Sequence, residues 1–362
     1  METLAEQLKK RGYDTAAFVG SRECSSAVNM QQGFDTMYLR GRNNGPAYRL
    51  LQRAALPGVW LLTGDIYRKV RGRGKSGQGS VEQAVKWVAA RKPDKPFFLW
   101  LQLESPHAPY DPPREYRDLF GARTLEPWTG RKNDSIYAGK KELSEEERYE
   151  LLALYHGEVA LADEMAGRLA EELFHRGLLD RTALFVTANH GEMLYEHSAY
   201  IGHGDRLFEP VLRVPLIVRY PPRVAAGIRR NQLVSTLDIY PTMLGLAGAA
   251  TPRGGMGVDL FTLIERPPLK GRGRPFVVSE TFAPDAARHS MSLTMDNYRL
   301  TVIPQNDDRV LNAVSTHVLY LEDTGNLYGK LDIADRQLLM EEALDQWLNH
   351  AESRGPADHD RN

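Results

Sequence analysis

Residues 182–204 read TALFVTANHGEMLYEHSAYIGHG, so Asn189, His190, Glu192, Glu196, His197 and His203 crowd the stretch that follows an apolar, β-branched run. An amide oxygen and an imidazole nitrogen can both reach a divalent cation, and a further histidine can hydrogen-bond an anionic substrate or protonate a leaving oxygen. Taken alone, Asn189-His190-Gly191 is also what a turn closing a strand looks like, with the glycine supplying a permissive dihedral. The histidines and carboxylates that follow at once are too many ionisable groups for a simple turn. A second such place is Ser105-Pro106-His107-Ala108-Pro109-Tyr110, where a histidine stands between two prolines. Proline on both sides restricts the backbone and holds His107 stiffly, as a ligand-orienting group must be held; the bland alternative is a plain loop histidine.

Both clusters follow apolar runs, PFFLWLQLE (96–104) and TALFVT (182–187), and in parallel α/β sheets ligands sit where strands end. The surrounding pattern supplies such a sheet. Leu4 and Leu8 lie at helical spacing and end at Arg11-Gly12, with no evident cap before them, and the strand TAAFVG follows. VEQAVKWVAARK (81–92) is an amphipathic helix, and the longest helical pattern runs from about Ser144 to Gly177, opening on the capping sequence SEEE. RVPLIVRY is a further apolar strand. Helices alternating with buried strands predict a mostly parallel sheet covered by helices. From about residue 266 the segments shorten to PFVVSE, HSMSLTMDNYRLTVI and HVLYLE, closed by the helix DRQLLMEEALDQWLNH. The expected organisation is therefore an α/β domain over 1–265 and a small C-terminal subdomain over 266–362, an antiparallel sheet with a helix on it.

Lys plus Arg number 46 against 47 Asp plus Glu in 362 residues, so no global field favours nucleic acid or an anionic membrane, and attraction for an anionic substrate must be local. The single cysteine, Cys24, excludes an internal disulfide and an all-cysteine zinc site. No apolar run approaches the ~18 residues of a membrane span, and no secretory apolar segment follows Met1, so the chain as encoded is expected in the cytoplasm. Gly74-Lys75-Ser76 lacks the glycine of a phosphate loop, since Lys69 stands in its place, and 68–80 reads as a solvated basic loop. The long excursion over 112–137 is of a kind that often borders a site.

Five blocks, in order, resemble the sulfatases of the alkaline-phosphatase superfamily: TLAEQLKKRGYDTAAFVG, PFFLWLQLESPHAPYDPP, YHGEVALADEMAGRLAEELFHRGLLDRTALFVTANHGE, GHGDRLFEPVLRVPLIVRYP and VSTLDIYPTMLGLAGAATP. The resemblance implies an alkaline-phosphatase-like fold and hydrolysis of a sulfuric ester, of a small molecule or a saccharide. It implies that His107 contacts the sulfate, that Asn189 and His190 occupy metal-ligand positions, and that His203 stands where a lysine or histidine of the family binds the sulfate group. It also implies a calcium or magnesium ion clamping the sulfate oxygens, and a formylglycine made within a C/S-x-P-S/A-R motif whose hydrate attacks sulfur.

The chain departs from that pattern in three respects. The stretch RECSSAVNM around Cys24 has neither the proline nor the arginine of the nucleophile motif, so Cys24 reads as a plain cysteine and the formylglycine is not encoded. The family's first strand with its pair of metal-binding aspartates has no counterpart, and the chain reads as truncated at its N-terminal side, with apolar strand faces left open to aggregation. Asn189 stands where the family generally has aspartate, so metal binding is expected to be weak. Two alternatives follow: a degenerate, non-catalytic binding protein, or a hydrolase or transferase acting on a phosphate or phosphonate ester.

Overall fold

The computed structural model describes residues 2–20, 29–39, 78–92, 94–124, 128, 142–196, 201–203, 207–252, 255–265, 274–281, 290–303, 308–313 and 334–352. Cys24, His197, residues 68–77 of the basic loop, residues 125–127 and 129–137 of the long excursion and the strand expected at 317–322 lie outside the described residues. The chain divides into two units, one of residues 1–183, 220–222 and 243–251, the other of 184–219, 223–242 and 252–362.

The first unit opens on α1 (Leu4–Lys9), which is capped after all. The Thr3 side chain accepts from the Glu6 amide at 3.2 Å while the Glu6 carboxylate accepts from the Thr3 amide at 2.8 Å, a reciprocal capping box spelled by T-x-x-E. β1 (Asp14–Val19) is the central strand of a parallel sheet, flanked by β2 (Thr36–Leu39) and, after α2 (Gln78–Ala89), by β3 (Phe97–Gln102), in the order β2-β1-β3. Every residue of β1 from Thr15 to Val19 is buried, whereas β2 and β3 are half-buried throughout. After the short α3 (Arg114–Leu119), the long α4 (Glu145–His175) is capped by Ser144 with Glu147, as SEEE predicts, and is followed by Gly177 at φ +65°. Ala16 and Phe18 of β1 pack with Ala84 and Val88 of α2 and with Leu169 and Leu173 of α4, so the two helices close over one face of the sheet. Arg91 fastens the start of β1 to the end of α2: its guanidinium lies 2.7 Å from the Asp14 carboxylate and 4.6 Å over the Trp87 ring. Lys95, and then Arg91, hold the Asp14 carboxyl below the usual carboxylate range.

In the second unit β4 (Leu184–Thr187) leads to a hairpin of β5 (Met193–Leu194) and β6 (Ile201–Gly202), then to α5 (Glu209–Leu212) and β7 (Leu216–Arg219). β7 pairs antiparallel with β4, Val186 facing Ile217, where the sequence pattern suggested another parallel strand. The connection bears on this: its described residues form a hairpin and a single helical turn, and among them there is no crossover helix of the kind that usually joins parallel strands. Ile217 is 59% exposed, so this pair is not covered on both faces within its own unit. α6 (Ile239–Leu246), whose residues from Met243 on belong to the first unit, and α7 (Phe261–Ile264) follow. The C-terminal segments form the expected antiparallel layer, β8 (Val277–Thr281), β9 (Ser290–Met295), β10 (Tyr298–Ile303) and β11 (Asp308–Ala313), in the order β11-β10-β9-β8. Leu293, Leu300 and Val302 of this sheet pack against Met340, Ala343 and Leu344 of α8 (Ala334–Glu352). Among the described residues no helix is long and apolar enough to cross a membrane.

Candidate active site

In the first unit β3 delivers the chain to the His107 loop. The Glu104 carbonyl accepts the His107 amide at 2.8 Å, and the Ser105-Pro106 and Ala108-Pro109 peptides are cis. The His107 side chain is exposed, with Nδ1 2.6 Å from the Ala108 carbonyl oxygen. A carbonyl only accepts, so Nδ1 carries the proton and Nε2 is the nitrogen for a ligand. Beyond His107 the loop is anchored. The Tyr110 ring is fully buried, edge-on to Tyr155 at 5.4 Å, and its backbone pairs with Trp128. Arg117 of α3 pairs with the Asp111 carboxylate and donates to the Pro112 carbonyl at 2.7 Å. The buried Glu158 of α4 accepts from Ser105 Oγ at 2.6 Å and from the Asp111 amide at 3.0 Å. Burial pushes the Glu158 carboxyl up from its ordinary value, and the Ser105 hydrogen bond opposes it.

In the second unit β4 ends at the turn that carries Asn189, which is exposed, and His190, which is half-buried. His190 Nδ1 lies 2.9 Å from the Gly191 carbonyl oxygen, which again assigns the proton to Nδ1. Gly191 donates its amide to the Val211 carbonyl at 2.7 Å, and a Cβ there would stand 2.0 Å from the Pro210 carbonyl oxygen, so this turn meets α5 backbone to backbone. The β5–β6 hairpin, pairing Met193 with Gly202, folds His203 back to the start of the turn. There the Glu192 carboxylate, 5% exposed, accepts from His203 Nδ1 at 2.7 Å and lies 3.9 Å from His190 Nδ1. The His190 and His203 rings are 3.9 Å apart, inclined at 31°.

The structure thus brings His190 and His203 together through Glu192, with Asn189 exposed on the same turn. Glu192 holds His203 in the tautomer whose Nε2 has a lone pair when the ring is neutral, and becomes an N–H donor to an anion once it is protonated. The donor set fits a hard cation poorly. Calcium takes six to eight oxygens, whereas this turn offers one amide oxygen and imidazole nitrogens, and its carboxylate, Glu192, is bonded to His203. Two supporting groups escaped the reading from sequence. Glu192 was one acid among several until the hairpin chose its partner. Glu158 did carry a signal, since it interrupts the buried stripe Leu151, Leu154, Leu161, Met165 of α4 with a charge.

A family model described as Sulfatase matches residues 1–249, and one described as N-sulphoglucosamine sulphohydrolase, C-terminal, matches residues 201–308. Arylsulfatase K of Xenopus laevis is 31% identical over an alignment of 212 residues that covers 51% of this chain and 39% of that protein. An arylsulfatase of Clostridium perfringens is 27% identical over an alignment of 198 residues that covers 51% of this chain and 41% of its own. The chain spans about two-fifths of the length of these curated relatives. Among solved structures, a phosphonate monoester hydrolase of Agrobacterium radiobacter superposes with a TM-score of 0.70 at 17% identity, covering 96% of this chain and 80% of that one. A structure in complex with its substrate D-glucosamine-2-N,6-O-disulfate superposes with a TM-score of 0.68 at 17% identity, covering 99% and 84%. At such identities the superpositions speak for the fold.

Proposed function

The chain belongs to the sulfatase family, with an alkaline-phosphatase-like α/β fold, and on that premise we propose that it carries sulfate-binding and proton-handling groups of a sulfuric ester hydrolase. The observation that supports this reading is the Glu192–His203 hydrogen bond, which orients the imidazole that the family resemblance assigns to the sulfate group. His203 Nε2 binds a sulfate oxygen as an N–H donor and can hand its proton to the leaving oxygen. His107, fixed through Nδ1, presents Nε2 to the same kind of anion. Asn189 and His190 take the metal-facing positions. The family generally uses a divalent cation, which supplies charge neutralisation when bound; the donors of this turn do not suffice for calcium or magnesium. The family's formylglycine supplies the nucleophile, and no C/S-x-P-S/A-R motif occurs in these 362 residues. The substrate class is a sulfated saccharide, in keeping with the amino-sugar disulfate bound by the structural relative.

The test is turnover of 4-methylumbelliferyl sulfate and of a 6-O-sulfated glucosamine, alongside calorimetric titration with inorganic sulfate. In a form that also supplies the family's nucleophile motif, His107→Ala and His203→Ala are each expected to lower turnover by ~10²-fold. Wild-type rates in both variants would remove the assignment. The neutral Asn189 favours a second reading, a non-catalytic anion-binding protein. Sulfate binding that His203→Ala abolishes, without turnover of either ester even in the form that supplies the nucleophile motif, would select it. Turnover of a phosphonate monoester in preference to both sulfates would move the chemistry to that ester class.

A further inference from the structure

Glu158 makes hydrogen bonds on either side of His107. Its Oε2 accepts from the Ser105 hydroxyl before the histidine, and its Oε1 accepts from the Asp111 amide after it, the two contacts reaching across 53 and 47 residues of sequence. The residue is 1% exposed, so water does not substitute for either partner. The same turn of α4 holds the loop at two more points. The Tyr155 ring meets the buried Tyr110 ring, and Gly157 lets Pro112 come so close that a Cβ would stand 2.8 Å from its Cγ and 3.2 Å from the Tyr116 carbonyl oxygen. Residues 155–158 thus form a cradle, and within it one carboxylate accounts for both ends of the segment that carries His107.

We propose that Glu158 is the positioning residue of His107: by bonding Ser105 and Asp111 together it fixes the loop so that the imidazole holds one orientation. A buried carboxylate is a demanding choice for a purely structural peg, because its desolvation must be offset. An apolar residue would fill the same stripe of α4, but would leave the Ser105 hydroxyl and the Asp111 amide without these acceptors. What the carboxylate adds is two acceptor oxygens at a fixed separation, which an amide can reproduce. A glutamine accepts from the Asp111 amide through Oε1 and donates to Ser105 Oγ through Nε2. The inference rests on the reading that His107 meets the anion, but its first test does not.

That test is amide hydrogen exchange over residues 105–111, with imidazole NMR of His107, in wild type, Glu158→Gln, Glu158→Ala and Ser105→Ala. Glu158→Ala is expected to speed exchange at Asp111 by ~10-fold or more and to mix the His107 tautomers, while Glu158→Gln stays within ~3-fold of wild type. Ser105→Ala should loosen the near end alone and serves if Glu158→Ala does not fold. Unchanged exchange and a single tautomer in Glu158→Ala, or in Ser105→Ala where that variant must stand in, would overturn the proposal. Where the protein turns over a sulfate ester, Glu158→Ala should lower kcat by ~10-fold with KM within ~2-fold, and Glu158→Gln should restore it. An equal loss in the Gln and Ala variants would also overturn it. A wild-type chain without turnover would count against the hydrolase reading, and the exchange data would still decide the role of Glu158.

Discussion

His203 and Glu192 are eleven residues apart in the chain and 2.7 Å apart in space, and the hairpin between them makes the contact. A carboxylate behind a histidine fixes which ring nitrogen faces the ligand, and removing such a partner costs ~10–100-fold in binding or activity. Glu192→Ala is expected to lower sulfate affinity or turnover within that range, while Glu192→Gln, whose Oε1 still accepts from Nδ1–H, falls less. Long-range imidazole NMR of His203 checks the cause: the Nδ1–H tautomer should persist in Gln and be lost in Ala. A single Nδ1–H tautomer in both would detach Glu192 from the mechanism.

Gly191→Ala should destabilise by at least ~1–3 kcal/mol, because its Cβ would meet the Pro210 carbonyl oxygen at 2.0 Å, and neither backbone has a flexible end to move aside. Gly167→Ala supplies the contrast. It lies inside α4 with nothing within 4 Å of the added carbon, and helix propensity alone should stabilise by ~0.5–1 kcal/mol. Urea denaturation of the pair gives the two signs.

The Glu158 carboxyl titrates above its ordinary value of 4.5 because burial disfavours its charge; the hydrogen bonds from Ser105 and from the Asp111 amide oppose the shift, as does the Arg117 charge, while the Asp111 charge adds to it. The folded chain therefore holds this proton more tightly than the unfolded chain. Its contribution to stability is greatest below pH 4.5 and is lost as the pH rises through the raised value. Glu158→Gln should flatten the pH dependence of unfolding free energy across mildly acidic pH. Parallel curves for wild type and variant would contradict the shift.

Asp238 is fully buried, pairs with Arg274, and accepts from the Ser235 and Val258 amides at 2.8 Å each. Asp238→Ala leaves a cation and two amides without their acceptor and should cost ~3–5 kcal/mol. Arg223 and Glu265 form a pair whose side chains are 35% and 38% exposed, and Glu265→Gln should cost under ~1 kcal/mol. Comparable losses in thermal or urea unfolding would break the burial argument.

Calcium titrated into the chain by calorimetry should bind no more tightly than ~10⁻³ M, given one amide and imidazoles as donors. Asn189→Asp adds an anionic oxygen at an exposed position of the same turn and should tighten binding. Micromolar calcium affinity in the unaltered chain would show that donors beyond this turn complete a site.

How far these features could be read from the sequence depended on how local their causes are. α4 was expected from about Ser144 to Gly177 and runs Glu145–His175, because its cap and its terminating glycine are neighbours of the ends they set. The capping box of α1 was equally local and was overlooked in T-x-x-E. The direction of β7 was not legible, since apolar runs look alike in parallel and antiparallel pairs, and only the connection through β5, β6 and α5 decides. His107, Asn189, His190 and His203 were legible as residue types at strand ends. Their carboxylate partners were not, because a two-residue strand such as β5 is too short for alternation to show, and because Glu158 acts on residues far back in the chain.

That last separation bears on the order in which the site is assembled during synthesis. Ser105 leaves the ribosome 53 residues ahead of the carboxylate that will bond it, and Asp111 leaves 47 ahead. The histidine loop therefore emerges before its cradle exists, and its final geometry waits for a helix that is itself steadied by docking on β1. His107 thus cannot take its final geometry until translation has passed the middle of α4.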